Sequence, residues 1–173
     1  QQKDLLIRNT EAFLRGKGSN NVLLYGDAGT GKSTSIQALV NEYAGQGLRL
    51  IELYKEQYDL IPDILRQVKG RNYRFLLFLD DLSFEENETS YKYLKAVMEG
   101  GAEAPPENVR ICATSNRRHL IKETLSDRTG DDIHEADTRQ ELMSLSARFG
   151  LTVTFQRPEN CLLYTSPSPR DKR

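Results

Sequence analysis

Gly26-Asp27-Ala28-Gly29-Thr30-Gly31-Lys32-Ser33 is the stretch on which the reading of this sequence turns. Two glycines flank four residues and are followed by Lys and Ser, a spacing suited to cradling a phosphate. Glycines let the backbone turn so that several N–H groups face one anion, and a helix starting near Lys32 adds the positive end of its dipole. Gly26, Asp27, Ala28, Gly29, Thr30, Gly31, Lys32, Ser33 and Thr34 are therefore the candidate phosphate-binding residues. Lys32 can reach β- and γ-phosphates, and the Ser33 hydroxyl can ligate Mg²⁺. The alternative is a glycine turn that matches by chance. The flanks argue against it: Val22-Leu23-Leu24-Tyr25 is a short apolar run leading into Gly26, and Ile36, Leu39, Val40 and Tyr43 recur at helical spacing behind the loop.

Further out, helical and strand patterns alternate. Upstream, Leu6, Phe13 and Leu14 share one helical face that stops at Gly16. Downstream of Gly45 and Gly47, residues 48–53 carry alternating apolar side chains, and Pro62 opens a helix with Ile64, Leu65 and Val68 that closes at Gly70. Residues 75–79 are continuously apolar, as a strand covered on both faces requires. Tyr91, Leu94, Val97 and Met98 predict a helix ending at Gly100-Gly101, followed by a strand over 109–114. Thr138 and Glu141 form a capping-box pattern ahead of Leu142, Leu145 and Phe149, and a last strand spans 151–155. Strands alternating with helices predict an α/β fold with a doubly wound, largely parallel sheet.

Two strand ends carry further chemistry. Phe75-Leu-Leu-Phe-Leu79 ends in Asp80-Asp81, where Asp80 is the metal-side acid and Asp81 sits where a base polarises an attacking water. A buried strand followed by an Asp-initiated turn is the plainer reading. Val109-Arg-Ile-Cys-Ala-Thr-Ser-Asn116 ends in an Asn that either positions that water, senses a γ-phosphate or belongs to an ordinary turn. Cys112 alternates inward and reads as a small core residue. His119 and His134 have no metal-ligand spacing.

Composition narrows the classes. The 173 residues hold 24 Lys+Arg against 25 Asp+Glu, a net charge of -1, and 38% hydrophobic residues, enough for one core. A strongly basic nucleic-acid binder is disfavoured, and Arg110, Arg117, Arg118 and Lys122 read as a solvated face. The apolar run 75–79 is far short of the roughly 20 residues that cross a bilayer, so no membrane partner is expected. Two cysteines make neither a disulfide framework nor a zinc site, which points to a reducing, cytoplasmic setting. The chain opens on Gln1, read as a cut end.

The loop GDAGTGKS, the strand ends LDD and ATSN, and Leu145-Ser-Ala-Arg148-Phe-Gly150, in that order, resemble the AAA+ ATPase core. The match is closer to a bacterial family of AAA+ ATP-binding proteins of unassigned role, over about residues 3–157. The resemblance implies a P-loop NTPase three-layer sandwich around a largely parallel five-stranded sheet, with ATP and Mg²⁺ as cofactors. By the same resemblance Lys32 and Ser33 contact phosphate and Mg²⁺, Ser33 and Asp80 hold the metal, and Asp81, Asn116 and Arg148 are catalytic. Asn116 is then the first sensor and Arg148 an arginine finger for a neighbouring subunit's ATP, with Arg128 its rival and a solvated surface charge the alternative for either.

Two departures from the resemblance matter: the acid after Asp80 is Asp81 rather than the usual Glu, one methylene shorter, and no helical lid with a second sensor is expected between the last strand and Cys161. From Cys161 the pattern stops, and residues 161–171 resemble the in-frame translation of a transposase-end sequencing adapter. The organisation expected is thus an ATP-binding core over 1–160, carrying -3, and a non-native tail over 161–173. The function expected is slow ATP hydrolysis in a homo-oligomer that remodels or regulates an unidentified protein client, without nucleic acid as a direct ligand. A nucleotide-gated binding module and a helicase-loader-like ATPase are the alternatives. A GTPase is disfavoured because no Asn-Lys-x-Asp stretch is present.

Overall fold

The computed structural model describes residues 2–82, 89–101, 104–116 and 147–156. In chain order these form α1 (Gln2–Leu14), β1 (Val22–Gly26), α2 (Lys32–Tyr43), β2 (Leu48–Leu53), α3 (Ile61–Val68), β3 (Arg74–Leu79), α4 (Thr89–Met98), β4 (Val109–Asn116) and β5 (Leu151–Phe155). The five strands make one sheet in the order β2-β3-β4-β1-β5, and every neighbouring pair is parallel. Parallel neighbours need crossovers, and among the described residues α2, α3 and α4 lie in the connections from β1 to β4.

Alternation along β3 shows how the layers are filled. Leu76 and Phe78 pack on one face with Phe13 of α1 and Ile36 and Leu39 of α2. Phe75, Leu77 and Leu79 pack on the other with Ile61, Leu65 and Val68 of α3 and Leu94 and Val97 of α4. A strand sandwiched this way must be apolar at every position, which is why 75–79 carries no polar residue. Cys112 is buried in the α1/α2 layer, and burial pushes its thiol pKa up, as fits a core residue. Among the described residues no helix is long and apolar enough to cross a membrane.

The structure sets two boundaries. β4 runs past Thr114 to Asn116, the longer of the two ends read from the sequence, because Ser115 and Asn116 stay in register with Tyr25 and Gly26 of β1. A 3₁₀ segment, Lys55–Leu60, precedes α3, and Tyr58 within it is buried in the α3/α4 layer. The expected helix from Thr138, together with His119, Arg128, His134 and residues 161–173, lies outside the described residues.

Candidate functional site

Parallel register brings the candidate residues to one end of the sheet. Gly26 pairs with Asn116 and Leu79 with Ala113, so the loop after β1, the acids after β3 and the end of β4 all lie at the carboxyl edge. That edge is where open α/β sheets bind ligands.

The loop geometry depends on glycine at two points. Gly26 has φ 150, and a Cβ there would lie 1.9 Å from the Phe155 carbonyl oxygen of β5. Gly31 has φ 85 and caps the start of α2, which sets the helix's positive end at the loop. Thr30 Oγ1 closes the turn by donating to Asp27 O at 2.8 Å.

Lys32 is 6% exposed, and its ammonium donates to Asp27 O at 2.7 Å, Asn116 Oδ1 at 3.0 Å and Gly26 O at 3.1 Å. Burial lowers its pKa, opposed by Asp27, Asp81 and Asp80 nearby. Asn116 links onward, its Nδ2 donating to Asp81 Oδ1 at 2.8 Å. Ser33 Oγ donates to Asp80 Oδ1 at 2.7 Å. Lys32, Ser33, Asp80, Asp81 and Asn116, chosen from sequence, therefore stand in one cluster, made of the chain Lys32–Asn116–Asp81 and the pair Ser33–Asp80.

Ser33 and Asp80 present two hard oxygens side by side, a donor type that suits Mg²⁺. Among the described residues no three His, Cys, Asp or Glu side chains gather into a metal cage. Mg²⁺ is ordinarily held by one or two carboxylates with waters and substrate phosphates, so the residues present fit it. Charge points the same way: among the described residues Asp27, Asp80 and Asp81 all act on Lys32, and carboxylates so placed repel a polyphosphate unless a divalent cation offsets them.

Arg148 lies elsewhere. It precedes the amino end of β5, opposite the glycine loop, where its Nη2 pairs with Glu99 Oε1 at 3.0 Å just past α4. A cavity of about 560 Å³ also opens at that amino edge, lined by Gly47, Lys69, Arg71, Tyr73, Arg74 and Glu107. It holds neither the glycine loop nor the acid pair. One residue of the cluster escaped the sequence reading: Thr114, whose hydroxyl touches both acids. Its signal was available, a polar residue inside a central apolar strand.

The fold recurs in solved structures. The Aeropyrum pernix ORC1 protein in complex with DNA superposes with a TM-score of 0.59 at 15% identity, over 89% of this chain and 44% of that one. DnaI gives a TM-score of 0.55 at 19% identity, over 88% of this chain and 81% of that one. These likenesses are of fold alone, an α/β fold built on a parallel five-stranded sheet. In sequence, the replication factor C large subunit of Staphylothermus marinus is 36% identical over 77 residues, 44% of this chain and 18% of that protein. The present chain thus matches less than a fifth of that relative's length. A family model matches residues 1–164, and the chain belongs to that family, described as "Protein of unknown function (DUF815)".

Proposed function

We propose that the protein binds ATP with Mg²⁺ at the carboxyl edge of the sheet and hydrolyses it slowly, within a homo-oligomer that remodels or regulates a protein client in the cytoplasm. The observation that carries this reading is the buried Lys32 ammonium, set between the glycine loop and Asn116 with the Ser33–Asp80 pair beside it. In this reading the loop N–H groups and Lys32 bind the phosphates, and Ser33 and Asp80 hold the metal. Mg²⁺ bound there supplies charge neutralisation at the phosphate oxygens. Asp81 orients and deprotonates the attacking water, and Asn116 fixes Asp81 against Lys32. Phosphoryl transfer asks for positioning and charge stabilisation rather than covalent chemistry, which this cluster can offer.

A second reading, a nucleotide-gated binding module with little hydrolysis, is favoured by one observation. The Asp81 carboxylate, already short by a methylene, accepts a hydrogen bond from Asn116 at 2.8 Å, which occupies one of its two oxygens. Both readings require nucleotide binding. Titration of a fluorescent ATP analogue with Mg²⁺ into wild-type protein and Lys32→Ala tests it. Losing a charge-assisted contact to phosphate should weaken binding by at least about tenfold. Undiminished affinity in a folded Lys32→Ala variant overturns the assignment.

A further inference from the structure

Thr114 is 2% exposed in β4, in register with Leu24 of β1 and flanked by buried Ala113 and Ser115. A hydroxyl at such a place is costly unless its hydrogen-bonding capacity is used. Both of its roles are used on one turn: Oγ1 donates to Asp80 Oδ1 at 2.6 Å and accepts the Asp81 N–H at 2.8 Å. The backbone strengthens the tie, since Leu82 N–H donates to Thr114 O at 2.7 Å and Ser115 Oγ donates to Leu82 O at 3.0 Å. Asp81 has φ 52, the one positive φ at a non-glycine position among the described residues. Such a backbone persists where its surroundings hold it, and such residues cluster at functional sites.

We propose that Thr114 is a positioning residue that couples the two acids. Its O–H directs the Asp80 carboxylate, which Ser33 meets on the same oxygen, and its lone pair pins the Asp81 amide in the left-handed turn that brings the Asp81 carboxylate to Asn116. One hydroxyl thereby sets the metal-side acid and the water-side acid in a fixed relation. Strand register explains why this position can do so: Leu79 pairs with Ala113, so the first residue beyond β3 falls beside Thr114. The proposal rests on the reading of this cluster as a Mg²⁺-nucleotide site.

The test compares Thr114→Val, which removes donor and acceptor at nearly constant volume, with Thr114→Ser, which keeps both. In the 173-residue chain, Mg²⁺ is titrated against a fixed concentration of fluorescent ATP analogue. The Mg²⁺ concentration for half-maximal effect should rise by about tenfold in Thr114→Val and by less than about twofold in Thr114→Ser. A wild-type Mg²⁺ dependence in Thr114→Val, or equal shifts in the two variants, overturns the proposal.

A second measurement needs no nucleotide. Hydrogen exchange at the Asp81 amide should be at least about tenfold faster in Thr114→Val than in Thr114→Ser, and equal protection overturns the proposal as well. Wild-type protein that binds no Mg²⁺-nucleotide sinks the site reading instead, and the exchange result then decides the Thr114–Asp81 tie alone. If thermal melting shows that Thr114→Val does not fold, Thr114→Cys replaces it, since a thiol is a weak donor and acceptor of similar size. A Cys variant indistinguishable from Thr114→Ser in both measurements overturns the proposal.

Discussion

The three protons of the Lys32 ammonium meet three oxygens, those of Gly26, Asp27 and Asn116, so its charge is held in a buried place by neutral acceptors. Carboxylates act on it from further away, which leaves the ammonium able to exchange one oxygen for another without breaking a direct ion pair. The two acids at the end of β3 differ in their contacts, and the proposed reading gives them different work. Asp80 receives the Ser33 and Thr114 hydroxyls on one oxygen, whereas Asp81 receives the Asn116 amide. On the proposed reading, Asp81→Asn keeps shape and removes the base, so phosphate release should fall by about a hundredfold or more while nucleotide affinity changes little. Asp80→Asn should instead raise the Mg²⁺ concentration needed for binding. Steady-state phosphate release together with Mg²⁺ titrations separates the two. Identical behaviour of both variants would defeat the division of roles.

The strands set where these side chains stand, and β1 shows how tightly. Gly26 ends β1 with Asn116 of β4 on one side and Phe155 of β5 on the other. A methyl group at Gly26 would overlap the Phe155 carbonyl, so Gly26→Ala should lower stability by about 1–3 kcal/mol or more, read as a drop in thermal melting temperature. An unchanged melt would mean that β5 is not seated against the loop as described. The sequence made β1, β3 and β4 legible because their apolar runs mark buried parallel strands, and the edge strands β2 and β5 legible because apolar residues alternate with polar ones there. It made the glycine loop, Asp80, Asp81 and Asn116 legible because the chemistry constrains residue type. The 3₁₀ segment Lys55–Leu60 was not legible, since Lys55, Glu56, Gln57 and Asp59 are polar without helical periodicity, whereas Tyr58 is buried only by tertiary packing. The role of Thr114 escaped for a related reason: periodicity reports which face a residue takes, whereas a hydrogen bond to the next strand's turn depends on register.

The molecule as a whole separates its two polar ends. The carboxyl edge gathers the acid pair and Lys32, and the amino edge carries Lys69, Arg71, Arg74 and the Arg148–Glu99 pair. Arg148 stands at least the length of β5 from its own loop, roughly 13 Å for five residues at about 3.3 Å per step. No side-chain rotation brings that guanidinium to the phosphates of the same chain, so a catalytic Arg148 must serve a neighbouring copy, and its bond to Glu99 must be exchanged for the ligand on assembly. A half-exposed ion pair is weak enough for this exchange, since such pairs contribute about 0–1 kcal/mol. Shared sites make a definite prediction. Arg148→Ala and Lys32→Ala proteins should each be inactive alone, yet mixing them should recover part of the ATPase activity, because some interfaces then combine an intact loop with an intact arginine. Sedimentation must show that the mixed subunits assemble. With assembly shown, absence of recovery at every mixing ratio would return Arg148 to the role its contacts display, that of a surface partner for Glu99.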